Sequence, residues 1–157
     1  MPEPSGSQRT PYEGPRHEAR ERALSLLYEA ELKGLDPSAV LEALAARPDP
    51  FAVRLVIGVG AVRDRIDGLI GAAALAWQLD RMPVIDRTIL RLGTFELLEL
   101  PMVPVAVVID EAVELAKQYS TDESGRFVNG VLSTIAGQVR KNERLDDEEF
   151  DPSDRGQ

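Results

Sequence analysis

The sequence contains no cysteine and a single histidine, His17. The first absence removes disulfides, thiolate metal sites and cysteine nucleophiles together. The second leaves one imidazole for any base-assisted chemistry, and zinc sites built on several His or Cys ligands are excluded. His17 lies among charges beside a proline- and glycine-rich arm, a poor place to fix a catalytic base, and reads as a solvated surface residue. Long apolar runs are also missing. The longest, Leu69 to Trp77 and Leu100 to Ile109, fall well short of the roughly 20 residues that span a bilayer. The N-terminus has no charged-then-apolar leader pattern, so a cytoplasmic protein is expected.

Phosphate-cradling loops are missing too. Gly58-Val59-Gly60-Ala61-Val62-Arg63 begins like a dinucleotide fingerprint but lacks its third glycine and stands inside a helical pattern. Close helix packing is the better account of those glycines. Asp110, Glu111 and Glu114 could supply a carboxylate pair, yet their spacing is that of a solvated helix face. Ser124-Gly125-Arg126-Phe127-Val128-Asn129 faintly matches the aromatic-basic motif of sheet-based RNA binders, which needs a strand in a four-stranded sheet. The one strand-like run, Val103 to Ile109, has no companion, and a lone strand is not stable; it is read as helix. No catalytic machinery, cofactor site or metal site is expected.

What is present fits a single helical domain. The 157 residues are 43% hydrophobic, enough for a core without staples. The net charge of −9 argues against nucleic acid, but it is unevenly spread. Residues 143–157 hold seven acids and two bases, leaving −4 for residues 1–142. Residues 1–15 read as a disordered arm, 16–142 as the folded domain and 143–157 as a disordered acidic tail.

The spacing predicts a first helix over Arg16–Lys33, stopped by Gly34. Asp36-Pro37 opens a short helix to about Ala46, and Asp49-Pro50 a long stretch to about Ala76 that glycines should interrupt. Pro83 precedes a helix carrying Ile85, Ile89 and Leu92. Pro101 and Pro104 separate it from another carrying Ala112, Leu115, Ala116 and Tyr119. After the polar connector Ser120–Ser124, a last helix shows the stripe Phe127, Val128, Val131, Leu132, Ile135 and Val139.

Two places could carry binding. Arg16 and Arg20, one turn apart, fall on the same side of the first helix as Ala23, Leu27 and Ala30. They are either apolar stems covering the core edge or a phosphate-binding ridge. Cations there oppose the helix dipole, which mildly favours a purpose beyond solubility. At the connector, Lys117, Arg126 and the hydroxyls of Ser120, Thr121 and Ser124 surround the start of the last helix, where N–H groups favour anions. Helix capping alone also explains those hydroxyls.

Five stretches stand out: Ala19-Arg20-Glu21-Arg22-Ala23 through Leu27-Tyr28-Glu29; Trp77-Gln78-Leu79-Asp80-Arg81 through Asp86-Arg87-Thr88-Ile89-Leu90-Arg91; Phe95-Glu96-Leu97; Pro104 through Asp110-Glu111-Ala112-Val113-Glu114-Leu115-Ala116-Lys117; and Arg126-Phe127-Val128-Asn129-Gly130-Val131-Leu132. Together these segments resemble the NusB family of transcription antitermination factors. The last two are distinctive in order and spacing, and the resemblance covers about residues 16–140. It implies an all-α fold of about seven helices in two three-helix sub-bundles. It implies binding to boxA RNA of ribosomal RNA transcripts with a small ribosomal subunit protein acting as NusE, and, through that complex, other Nus factors and RNA polymerase. By position, Arg16, Arg20, Lys117, Glu123, Ser124 and Arg126 look like RNA contacts, and Tyr28, Asp80 and Asp86 look like partner-facing residues. The first helix is less basic than in many relatives, because Glu18 and Glu21 interrupt it. Two other readings stay open: a protein-binding helical scaffold, and an accessory domain for an RNA methyltransferase. A homodimer is also left open, since the stripes do not separate a core face from a dimer face.

Overall fold

The computed structural model describes residues 14–75 and 78–140. Most of the expected arm and all of the acidic tail lie outside these residues, as does Ala76, where the long stretch was expected to end. The described residues form seven α-helices, one 3-10 turn and no strand. The chain divides into two compact units, the first ending at Ala61 and the second starting at Val62.

The first unit holds α1 (Gly14–Lys33), α2 (Pro37–Glu42) and α3 (Pro50–Ala61). Helix α1 begins two residues inside the expected arm. It ends where Gly34 takes φ +65°, a left-handed conformation that glycine adopts without strain. Asp36 caps α2 by accepting from the Ser38 N–H at 3.0 Å, and Pro37 opens the helix. Helix α2 closes at Glu42, earlier than the expected Ala46, with turn bonds to Ala43 and Leu44. Asp49 accepts from the Phe51 N–H at 2.8 Å at the start of α3. The core is formed by Ala23, Leu24, Leu26, Leu27 and Ala30 from α1, Val40 from α2, and Ala52, Leu55, Val56 and Val59 from α3. Full burial of a large aliphatic side chain contributes about 1.5–3 kcal/mol. A Cβ on Gly60 would lie 3.3 Å from Pro37 Cγ, so this glycine serves close helix packing, as its place in a helical pattern suggested.

The second unit holds α4 (Arg63–Ala74), a 3-10 turn (Leu79–Arg81), α5 (Val84–Glu99), α6 (Val105–Tyr119) and α7 (Asp122–Val139). The expected interruption of the long helical stretch falls at Val62, between α3 and α4. The run from Val103 is helical from Val105, after Pro104. Helix α5 packs against α4, α6 and α7, and every residue from Asp86 to Leu97 is buried. A helix buried all round has little room for polar groups unless each is met. Arg91 accordingly forks onto Asp67 of α4, at 2.8 and 2.9 Å. Arg140 donates to the carbonyls of Leu97 (2.8 Å), Val103 (2.9 Å), Leu100 (3.0 Å) and Glu96 (3.1 Å), with a longer contact to Pro101 (3.4 Å). One guanidinium therefore serves carbonyls at and just beyond the end of α5, those of Glu96 and Leu100 in addition to their backbone partners, the N–H groups of Leu100 and Val103. Close approach of α5 and α7 depends on Gly93, where a Cβ would meet Leu132 Cδ1 at 2.7 Å.

Candidate nucleic-acid interface

In the first unit, Arg16 and Arg20 project from α1 toward the start of α3. The Arg16 guanidinium carbon stands 4.6 Å from the centre of the Phe51 ring and that of Arg20 stands 5.4 Å away. Both distances suit a cation held by an aromatic ring. Their exposure differs sharply: Arg16 is half-buried, whereas Arg20 is only 2% exposed. Of the two readings open for Arg20, its burial favours the one in which its stem covers the core edge. It occupies the same face as the buried Ala23, Leu27 and Ala30, and the demands of that face decide its fate. His17 lies 3.0 Å from Glu21 one turn on, in keeping with a surface role.

In the second unit, the α6–α7 connector gathers the other expected RNA residues. Thr121 caps α7, its Oγ1 accepting from the Ser124 N–H at 3.0 Å and donating to Ser124 Oγ at 3.0 Å. Ser120 Oγ also lies 3.0 Å from Ser124 Oγ. Ser124 Oγ donates in turn to Asp86 Oδ2 of α5 at 2.9 Å. Ser124 is buried, and so is Asp86, which is 4% exposed. Ser124 Oγ and the Asp86 carboxylate thus meet each other inside the second unit. The cause is the N-terminal turn of α7, which packs against the start of α5 and turns Ser124 toward its carboxylate.

Around this anchor, Lys117, Glu123 and Arg126 are exposed. A Cβ on Gly125 would sit 3.2 Å from Lys117 Cγ, so the bare glycine lets the Lys117 stem lie on the first turn of α7. Two cations are thus brought to the start of an 18-residue helix, an electrostatically suitable setting for phosphate. The acids Asp122 and Glu123 stand in the same turn and confine the positive region to the Lys117 and Arg126 sides.

The expected partner-facing residues divide similarly. Tyr28 on α1 and Asp80 in the 3-10 turn are exposed, while Asp86 is not. Arg87 Nη1 donates to the Leu79 carbonyl at 2.7 Å, fixing the turn that presents Asp80. Leu32, one helical turn beyond Tyr28, is 61% exposed, an apolar continuation that sequence reasoning missed. Phe51 was also missed; its only sequence signal is its place just after the Asp49-Pro50 helix start. Among the described residues no group of His, Cys, Asp and Glu is arranged to hold a metal ion, and no helix is long and apolar enough to cross a membrane.

Seven helices in this order, with an arginine-bearing first helix and a polar connector before the last, define an all-helical binding fold. The NusB family model matches residues 17–137. The chain is 52% identical over 130 residues to the transcription antitermination protein NusB of Saccharopolyspora erythraea, covering 79% of this chain and 88% of that protein. It is 49% identical over 126 residues to the NusB of Thermobifida fusca, covering 78% and 89%. Among solved structures it resembles T. maritima NusB, with a TM-score of 0.76 and 35% identity over 85% of this chain and 98% of that one. It also resembles a chain in a crystal structure of antitermination factors NusB and NusE in complex with dsRNA, with a TM-score of 0.68 and 32% identity over 78% and 96%. The chain belongs to the NusB family.

Proposed function

We propose that this chain is an antitermination factor that binds boxA RNA of ribosomal RNA transcripts together with a small ribosomal subunit protein acting as NusE. The observation that carries the reading is the α6–α7 connector, where Lys117 and Arg126 stand exposed beside the N-terminus of α7. Arg16, held against Phe51, adds a third cation on the first unit. Glu123 cannot contact phosphate, but its carboxylate can accept from a base amino group or a ribose 2′-hydroxyl. Tyr28 and Asp80 are the residues assigned to the ribosomal partner; an exposed carboxylate suits a basic surface. The solved NusB–NusE–dsRNA structure supports the pairing of RNA with a protein partner in a relative.

The test is a gel shift with boxA RNA, with and without the ribosomal protein. The expected result is a shift strengthened by the partner and weakened by salt, since phosphate contacts release counterions. Arg16→Glu and Arg126→Glu should each reduce affinity and flatten the salt slope while leaving the helical circular dichroism unchanged. No shift under either condition would favour a protein-binding scaffold, a reading to which exposed Tyr28, Leu32 and Leu35 lend weight.

A further inference from the structure

We propose that the acidic segment 146–151 of this chain docks on the face formed by Lys117 and Arg126 at the start of α7 and competes there with RNA. The inference rests on the RNA-binding reading above and adds the regulation of that same site. Lys117 and Arg126 are exposed, and neither forms an ion pair among the described residues. The fold thus brings two cations together and leaves them to an outside acid. Segment 146–151 lies outside the described residues and holds Asp146, Asp147, Glu148, Glu149 and Asp151, five acids among six positions. So dense a run of carboxylates carries the same sign of charge as an RNA backbone, and the two ligands exclude each other on one cationic face.

Reach decides whether the segment arrives there. Arg140 follows the end of α7 and is fixed by bonds to the carbonyls of Leu97 and Val103. Arg126 lies 14 positions earlier, about 21 Å back along the helix at 1.5 Å per residue. An extended chain covers about 3.3 Å per residue, so from Arg140 it carries Asp146 roughly 20 Å and Asp151 roughly 36 Å. The acids therefore attain the level of Arg126 when the segment runs back along α7, and an acidic run placed nearer to Arg140 would fall short. The return path repels no carboxylate. From Phe127 to Val139 α7 has no charged residue, and its exposed positions are Asn129, Gly130, Ser133, Thr134 and Gln138. A Cβ on Gly130 would meet nothing within 4 Å, so the face is unobstructed halfway along. Repulsion begins only at Asp122 and Glu123 in the first turn, which confines the segment to the sides of Lys117 and Arg126. A tethered ligand acts at an effective concentration of about a millimolar, so even a weak pairing of carboxylates with these cations is populated.

The experiment measures boxA RNA affinity on the full chain, with the ribosomal protein present. Wild type is compared with a neutral segment of the same length, made by Asp146→Asn, Asp147→Asn, Glu148→Gln, Glu149→Gln and Asp151→Asn together. The pair is repeated in a Lys117→Ala/Arg126→Ala background, and backbone amide shifts of α7 are recorded for all four proteins without RNA. Neutralisation should raise RNA affinity about three- to tenfold, as release of a tethered competitor predicts, and the gain should shrink as salt screens the pairing. With Lys117 and Arg126 replaced, the gain should disappear. The amide shifts of residues 121–126 should respond to neutralisation only while the two cations are present. A gain of equal size in both backgrounds would overturn the proposal, since it marks long-range repulsion of RNA; so would unchanged affinity, or amide shifts at the start of α7 that ignore the segment. Where a background binds no RNA, the amide comparison alone decides whether the segment docks. If the wild-type and neutral chains both bind none even with the partner present, the functional reading fails.

Discussion

The two units handle buried arginine differently. In the first, Arg20 is buried with its guanidinium beside that of Arg16 over the ring of Phe51. In the second, Arg140 is gripped by directional bonds to the carbonyls of Leu97, Val103, Leu100 and Glu96. A ring holds a guanidinium by its face and leaves its edge N–H groups to other acceptors. A nest of carbonyls consumes those edges. The first arrangement suits a cation that must still meet a ligand, as Arg16 is proposed to do. The second suits a cation whose whole work is to close the fold.

Substitution should expose this contrast. The largest effect is expected from Arg140→Ala, which removes the guanidinium from the buried carbonyls of Leu97 and Val103 at about 1–3 kcal/mol each; denaturant unfolding should show a loss of roughly 3 kcal/mol or more. Arg140→Lys should recover little, because an ammonium cannot reproduce the planar fork. Phe51→Leu keeps apolar volume but removes the ring face, worth about 0.5–2 kcal/mol for a stacked cation. Its mark should appear in RNA affinity more than in stability, and Phe51→Tyr should restore it. Equal effects on stability and affinity would erase the distinction between the two arginine sites. The smallest effect concerns Asp36, whose carboxyl is held below its usual value by the Ser38 hydroxyl and then the Ser38 N–H, against a small opposing effect of burial. A carboxylate with a depressed folded value stabilises above its unfolded value and loses that contribution as pH falls through the folded one. Acid unfolding of Asp36→Asn should thus converge on wild type at low pH and differ near neutrality.

The helices were legible in the sequence because their ends are locally encoded. Gly34, Asp36-Pro37, Asp49-Pro50, Pro83 and Pro104 each mark a boundary through backbone chemistry within a few residues. The site was legible only in part, because inward or outward orientation depends on distant residues. Arg20 stands on the Ala23–Leu27–Ala30 face, a place that leaves both a stem over the core edge and a cationic ridge open; Phe51, over which it lies, is on another helix. Ser124 and Asp86 were assigned to different ligands, and the bond between them spans 38 positions. Arg140 carries no local signal of its role, since all its acceptors precede it by 37 to 44 positions.

The position of Arg140 also bears on the order in which the chain is made. Helix α5 is complete at Glu99, yet the groups that terminate it wait for a residue some 40 positions later in synthesis. Until Arg140 leaves the ribosome, the carbonyls of Leu97 and Val103 lack this donor, while those of Glu96 and Leu100 already accept from the N–H groups of Leu100 and Val103. The second unit thus carries a late latch. Nascent chains stalled before residue 140 should hold a loosened α5 end, and chains that have passed it a closed one.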